Sequence, residues 1–378
     1  MDGRYLFMLT GKAALFALAA FVGFVAAGLL VAVGLVWMNS SGRPKPFVDS
    51  RGNPLPGSIS EKIFVDINGT KQGMFIKGKR RNAPVLLYLH GGMPDYFLTD
   101  KYPTGLDELF TVVWWEQRGS GISYDSGLDR SAMTVDTMMN DVITVADYLR
   151  QRFRQDRIYL MGHSGGTFLG IKVAATHPEL FRAYIGVSQI SRQKVSEKLA
   201  YDYMVRRFAA EGNADMVGKL RESPVTLTGQ IPDSYLKIRD EAMHELGIGT
   251  MRNMRNVFTG LFIPSLLFDE YSLGEKYRLW AGKSHAGVSV IWNDIISRDL
   301  SEEITSLDIP VYFLHGRYDY TCSFSLAEEF FRKIEAPVKG FYIFEKSAHC
   351  PLFEEPLKTV GIIRDDILRG RDDHADVK

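Results

Sequence analysis

The chain has 378 residues, 46% of them hydrophobic, and its 45 basic and 45 acidic side chains give a formal net charge of zero. A chain of this length can bury a substantial core, so one composite domain with additions is expected. Balanced charge without a basic stripe argues against a nucleic-acid partner. Eight scattered histidines without an H-E-x-x-H pattern, and two cysteines without zinc-site spacing, argue against a metal.

In chain order, residues 1–12 read as a short tail. From Ala13 to Met38 no charged or strongly polar residue occurs. As a helix rising ~1.5 Å per residue this run is roughly 39 Å long, enough to span a hydrocarbon core of ~30 Å with tilt. A cleaved signal peptide has a shorter apolar region, about 7–15 residues, and a small-x-small cleavage site. No clear site follows the run, so a retained transmembrane helix over 13–38 is expected. Its small residues, Ala19, Ala20, Gly23, Ala26, Ala27 and Gly28, would allow close helix pairing. Arg4 and Lys12 before the span nearly balance Arg43, Lys45 and Arg51 after it. Charge therefore does not set the orientation, and large downstream domains translocate largely regardless of it. The expectation is a single-pass membrane protein with its folded domain on the outer face. Residues 39–60, rich in Gly, Pro and Ser, read as a linker.

The buried strand Val85–Leu89 ends in His90-Gly91-Gly92-Met93, a glycine loop whose backbone N–H groups can point at a developing oxyanion. The run Ile158–Met161 leads into Gly162-His163-Ser164-Gly165-Gly166, the Gly-x-Ser-x-Gly pattern of a nucleophile elbow. A serine on so sharp a strand-to-helix turn is strained, and a Cβ two residues away would collide with the turn. The helix after it, from Phe168 to Ala175, is apolar almost all round, as a buried helix is. Two further strands complete the pattern. Ile309–His315 is followed by Gly316-Arg317-Tyr318-Asp319, and Gly340–Phe344 by Glu345-Lys346-Ser347-Ala348-His349. Ser164, Asp319 and His349 thus fall in the order nucleophile, acid, base, each at the end of a strand. In that assignment His349 takes the Ser164 proton, and Asp319 orients the imidazole and stabilises the imidazolium. Gly92 and Gly165 are the expected oxyanion donors, each typically contributing about 2.7–4 kcal/mol of transition-state stabilisation. Cys322 and Cys350 sit close behind Asp319 and His349, so both thiols are expected near the site, free or bridged; a bridge needs Cα atoms within about 7 Å.

Taken together, Leu89–Gly92 (L-H-G-G), Trp114–Ser123 (W-W-E-Q-R-G-S-G-I-S), Gly162–Thr167 (G-H-S-G-G-T), Gly316–Asp319 (G-R-Y-D) and Ser347–His349 (S-A-H) resemble the α/β-hydrolases of the proline iminopeptidase type. The resemblance covers roughly residues 60–365. Two places depart from it: H-G-G-M-P-D stands where the family usually has H-G-G-P-G, and G-H-S-G-G where G-G-S-W-G is common. The resemblance implies an α/β-hydrolase fold with a mostly parallel central sheet and an inserted helical cap, here preceded by the transmembrane helix. The expected division is core over 61–190, cap over 191–300, and core with a C-terminal tail over 301–378. It also implies a serine hydrolase without cofactor, acting on a small peptide or an ester, with cap carboxylates holding the substrate's free amine. Asp202, Glu211, Asp240, Glu241, Glu245, Asp269 and Glu270 are candidates for that role. The aromatic and Met-rich stretch between Ser188 and Leu300 is expected to lie over Ser164 and to form most of the pocket. An aminopeptidase is the first reading and an esterase or lipase-like enzyme for amphiphilic esters the second. A non-catalytic binding module is a third, which three intact catalytic residues oppose. The oligomeric state is left open.

Overall fold

The computed structural model describes residues 3–283 and 287–378. Met1 and Asp2 of the expected tail, and residues 284–286 of the expected cap, lie outside the described residues. Helix α1 (Gly3–Met38) precedes a sheet whose eight strands run in the order β1-β2-β4-β3-β5-β6-β7-β8. They are β1 (Ile59–Ile67), β2 (Thr70–Gly78), β3 (Val85–Leu89), β4 (Thr111–Glu116), β5 (Ile158–His163), β6 (Phe181–Val187), β7 (Val311–Gly316) and β8 (Lys339–Phe344). β1 and β2 form a hairpin turned by Asn68-Gly69, both at positive φ, the geometry that a two-residue hairpin turn requires. β2 also pairs antiparallel with β4, and from β4 to β8 every pairing is parallel.

The crossover helices are α2 (Leu106–Leu109), α3 (Val135–Phe153), α4 (Gly165–Thr176) and α12 (Phe324–Lys333), with α13 (Pro351–Glu354) and α14 (Pro356–Asp365) after β8. Strands β3, β4, β5 and β7 are buried at every position, the mark of a parallel sheet covered on both faces. On α3, Val135, Met138, Val142, Val145 and Leu149 recur at helical spacing and pack into one face's core. On the other face Tyr88, Trp114, Met161, Leu314 and Ile363 form a second core. The sequence places a strand at Ile309–His315. The sheet begins it at Val311, because Pro310 has no N–H to give the ladder.

Between β6 and β7 the cap carries α5 (Gln193–Ala210), α6 (Ala214–Arg221), α7 (Asp233–Glu245), a π-turn (Phe258–Phe262) leading into α8 (Ile263–Leu267), α9 (Leu273–Lys283), α10 (Trp292–Ser297) and α11 (Leu300–Glu303). Helices α5–α7 enclose their own core around Met204, Phe208, Leu220, Tyr235 and Met243. Met254, Leu261, Tyr271 and Leu279 instead belong to the core on the sheet.

Helix α1 starts at Gly3 rather than at the first residue of the apolar run. Arg4 and Lys12 limit the stretch that suits hydrocarbon but do not break a helix. From Ala17 to Met38 it is exposed and apolar, with a mean hydropathy of 2.5, long enough to cross a membrane. Such a helix serves as a membrane anchor or as a signal sequence. Its C-terminal end is fastened to the cap: the Lys276 ammonium donates to Asn39 O, to Leu266 O at 2.6 Å and to Ser40 Oγ at 2.7 Å. Ser41 N and Gly42 N donate to Asp269 Oδ1 and Asp269 O, each at 3.1 Å.

A buried ion pair between Arg118, just after β4, and Asp141 of α3 also gathers in the hairpin. Asp141 accepts from Arg118 Nε at 2.7 Å and Nη2 at 2.8 Å, and from Gln72 and Asn68 amides at 2.8 Å. Removing one partner of such a pair leaves an uncompensated charge. Asp141→Ala is therefore expected to lower unfolding free energy by about 3–5 kcal/mol in urea titration. A loss below about 1 kcal/mol would mean that the pair does not hold hairpin and helix together.

Candidate active site

Ser164 leaves β5 at φ 54 and ψ −124, a left-handed backbone that a non-glycine residue adopts only where the surroundings enforce it. The enforcement is visible on three sides. A Cβ on Gly166 would lie 2.2 Å from Leu89 O, one on Gly162 would lie 2.7 Å from Gly166 O, and one on Gly91 would lie 2.7 Å from Ser164 Cβ. The turn closes only because these three positions are glycine.

Asp319 follows β7 and is fully buried, with Oδ2 2.9 Å from His349 Nδ1 and Oδ1 accepting from Thr321 N and Cys322 N, each at 2.9 Å. Burial alone would raise its carboxyl, but His349 and His315 outweigh it and hold Asp319 well below the carboxylate range. His349 lies after β8 and shares the wall of one cavity with Ser164. Burial lowers its imidazole below the ordinary value, more than Asp319 raises it. Ser164, Asp319 and His349 are thus brought to one edge of the sheet, as are Gly92 and Gly165, which line a cavity with Ser164. The two thiols are free and buried, as one of the two sequence readings has it, and Cys322 Sγ donates to Gln193 Oε1 at 3.8 Å.

Several supporting residues carry no pattern in the sequence. His163, the variable residue of the elbow, has Nδ1 3.0 Å from Asp95 Oδ2 and Nε2 2.9 Å from the carbonyl of His349. Both ring nitrogens therefore face acceptors, an arrangement that suits an imidazolium. Burial works against the charge, but Asp95 prevails and raises His163 above its ordinary value. Tyr88 Oη donates to the same Asp95 oxygen at 2.6 Å. Ser188, at the end of β6 and also at positive φ, donates to His349 O at 2.8 Å. Below the glycine loop, Gln117 donates its side-chain amide to His90 O at 2.8 Å and its backbone N–H to His90 Nε2 at 3.1 Å. These two bonds tie the E-Q-R-G segment to the residue that opens the glycine loop. Its Glu116 is pushed by burial up to about 8, and its carboxyl meets Tyr271 Oη and Ile122 N.

Two cavities meet at Ser164. One, of about 340 Å³, is walled by Ile190, Leu236, Val288 and Trp292, with Glu197 and Arg239 at its side. Glu197 is fully buried and already engaged by Arg239 Nε at 2.7 Å, Arg239 Nη2 at 2.8 Å and Tyr235 Oη at 3.1 Å. The other, of about 260 Å³, is walled by Met93, Phe97, Leu98, Val257 and Leu261, and Asp240 and Lys283 reach it. Of the cap carboxylates singled out in the sequence, Asp240 is the one lining this cavity. The rest engage elsewhere: Asp202 with Lys198, Glu211 with Arg207, Glu245 with Asn213, Asp269 with Ser41, and Glu270 with Lys77 and Tyr96. Glu241 is exposed.

A profile of the alpha/beta hydrolase fold matches residues 84–356, and the chain belongs to that family. It is 28% identical over 309 residues to the probable aminopeptidase YbaC of Bacillus subtilis, a match covering 80% of this chain and 95% of that one. The fold is shared with a proline iminopeptidase of Mycobacterium smegmatis, at a TM-score of 0.57 and 14% identity over 80% of this chain and 96% of the other. A membrane phospholipase A described as a bacterial virulence factor matches at a TM-score of 0.51 and 17% identity, covering 96% of this chain and 98% of its own.

The opposite directions of His163 and His349 are measurable. In an NMR titration of the imidazoles, His349 is expected to lose its proton on the acid side of 6.5 and His163 on the alkaline side. The reverse order would mean that Asp95 does not hold a charged ring beside the site.

Proposed function

We propose that this protein is a membrane-anchored serine hydrolase, an aminopeptidase of the proline iminopeptidase type, working through an acyl-enzyme. The observation that carries the chemistry is the enforced left-handed turn at Ser164, in a cavity that also exposes an imidazole held by a buried carboxylate. In this reading His349 accepts the Ser164 proton as the hydroxyl attacks the scissile carbonyl. The backbone N–H groups of Gly92 and Gly165 receive the oxyanion, and the protonated His349 then returns its proton to the leaving amine. Water, deprotonated by His349, releases the acyl group. The amide rather than ester preference follows the aminopeptidase named among the relatives. Asp240, at the rim of the smaller cavity, is the carboxylate for the substrate's ammonium; it pairs with Arg239 at 3.0 Å and stays half-exposed.

In this reading α1, whose apolar span from Ala17 to Met38 exceeds the apolar region of a signal peptide, is a retained anchor, with the hydrolase domain on the outer face. An esterase reading has its own support: both cavities are walled mainly by apolar side chains, and Glu197 is fully engaged.

Aminoacyl amides, including proline, and short- and medium-chain p-nitrophenyl esters distinguish the two. Ser164→Ala is expected to reduce kcat at least about 10⁴-fold on whichever series is turned over. Asp240→Asn is expected to raise KM for free-amine substrates and to leave N-acylated ones unchanged. Turnover of esters alone, insensitive to Asp240→Asn, would make the protein an esterase. Activity that survives Ser164→Ala would remove the site altogether.

A further inference from the structure

The segment Phe258–Leu267, F-T-G-L-F-I-P-S-L-L, carries no charge over the π-turn and α8. Its two sides face different surroundings. On the inner side Val257 and Leu261 line the cavity that holds Ser164 and His349. On the outer side Phe258 is 60% exposed and Leu267 41%, and next along the chain Leu273 and Tyr277 are 49% and 72% exposed. Large apolar side chains left together in water mark a surface that meets something else.

What it meets is indicated by α1. Along residues 17–38 the half-buried positions are Gly34 and Val36, in the last turns of the apolar span, and α8 is the element packed against that end. Leu266 O and Asn39 O accept from the same Lys276 ammonium. The end of α8 and the end of the apolar helix are therefore at one level and rigidly joined. Wherever the hydrocarbon boundary crosses α1 near Met38, Leu267 lies at that boundary. Trp37 and Tyr277, both exposed, are residue types that settle at headgroup level. Exposed cationic Arg255 and Arg278 flank the apolar patch, as anionic headgroups favour.

We propose that Phe258–Leu267, with Leu273 and Tyr277, lies on the surface of the bilayer that α1 enters, forming a second, interfacial contact between the cap and lipid. The inference rests on α1 being an anchor. One short segment then separates the catalytic cavity from the membrane: Val257 and Leu261 on the cavity side, Phe258 and Leu267 on the lipid side.

The test uses the full chain reconstituted in liposomes of phosphatidylcholine and phosphatidylglycerol. An environment-sensitive fluorophore is attached to Phe258→Cys, to Trp37→Cys, or to Arg332→Cys on α12, which packs against β7 at the far part of the sheet. Cys322 and Cys350 are buried and leave labelling to the introduced thiol. An interfacial segment sinks about 5–10 Å into the headgroup and acyl boundary, within reach of a lipid nitroxide at a shallow acyl position. The expected result is quenching by that lipid at positions 258 and 37 alike, with position 332 quenched only by aqueous iodide. Quenching of 258 by iodide but not by lipid, with 37 still lipid-quenched, would overturn the proposal and leave the anchor standing. Protection of 258 from both quenchers would also overturn it, pointing to a second copy over the patch. Loss of lipid quenching at 37, with extraction by alkaline carbonate, would overturn the anchor and the proposal with it.

Discussion

The close approach of α4 to the end of β3 governs this structure. With Gly166 set against the Leu89 carbonyl, the first turn of α4 has no room for a side chain, and the chain leaving β5 must turn at once. Ser164 takes up the strain of that turn. A larger residue at Gly166 or Gly91 would restore comfortable backbone geometry only by moving the serine away from the cavity. The strain is modest, of order 1–3 kcal/mol, and the packing of an otherwise apolar helix under the sheet is sufficient to impose it.

From that fixed point the remaining geometry follows from a parallel sheet. Strands β3 to β8 run the same way, so their carboxyl ends collect at one edge. The loops that follow β3, β5, β7 and β8 deliver the glycine pair, the serine, the aspartate and the histidine there. Ser188, after β6, adds a hydroxyl that holds the carbonyl of His349. With His163 on the same oxygen, the histidine's backbone is clamped on one side and its ring on the other by Asp319. The rim is thus a set of short bonds between loops, each rooted in a rigid strand.

Much of this was legible in the sequence for a physical reason. Buried parallel strands are short, wholly apolar and bounded by glycine, so Val85–Leu89 and the runs before Ser164, Asp319 and His349 stand out. The order of the three residues follows from strand order. The boundaries shifted where hydrogen bonding rather than hydropathy decides, as at Pro310 and at the start of α1. The supporting shell was not legible. Asp95 and His163 lie 68 residues apart and meet only because β3 and β5 are neighbours in the sheet, with nothing periodic to announce them. Glu197 carries no signal among the cap acids, yet it is completely buried, with Glu270 and Glu275 nearly so. Its burial follows from the partners Arg239 and Tyr235, which come from a different helix.

The cap is built as two halves with different attachments. Helices α5–α7 close around a private core, whereas the stretch from Met251 to Leu279 shares its core with the sheet and is bolted through Lys276 to the end of α1. The Met251–Leu279 half cannot shift without disturbing the sheet core and the end of α1, while the α5–α7 half is tied to the loop after β7 through Gln193 Nε2 to Thr321 O and Ser323 N to Ser196 Oγ, each at 2.8 Å. Glu197, Leu236 and Arg239 belong to the first half, and Val257 and Leu261 to the second. Both halves therefore shape the smaller cavity, since Asp240 comes from the first and Val257 and Leu261 from the second, and its width depends on how the two sit against each other.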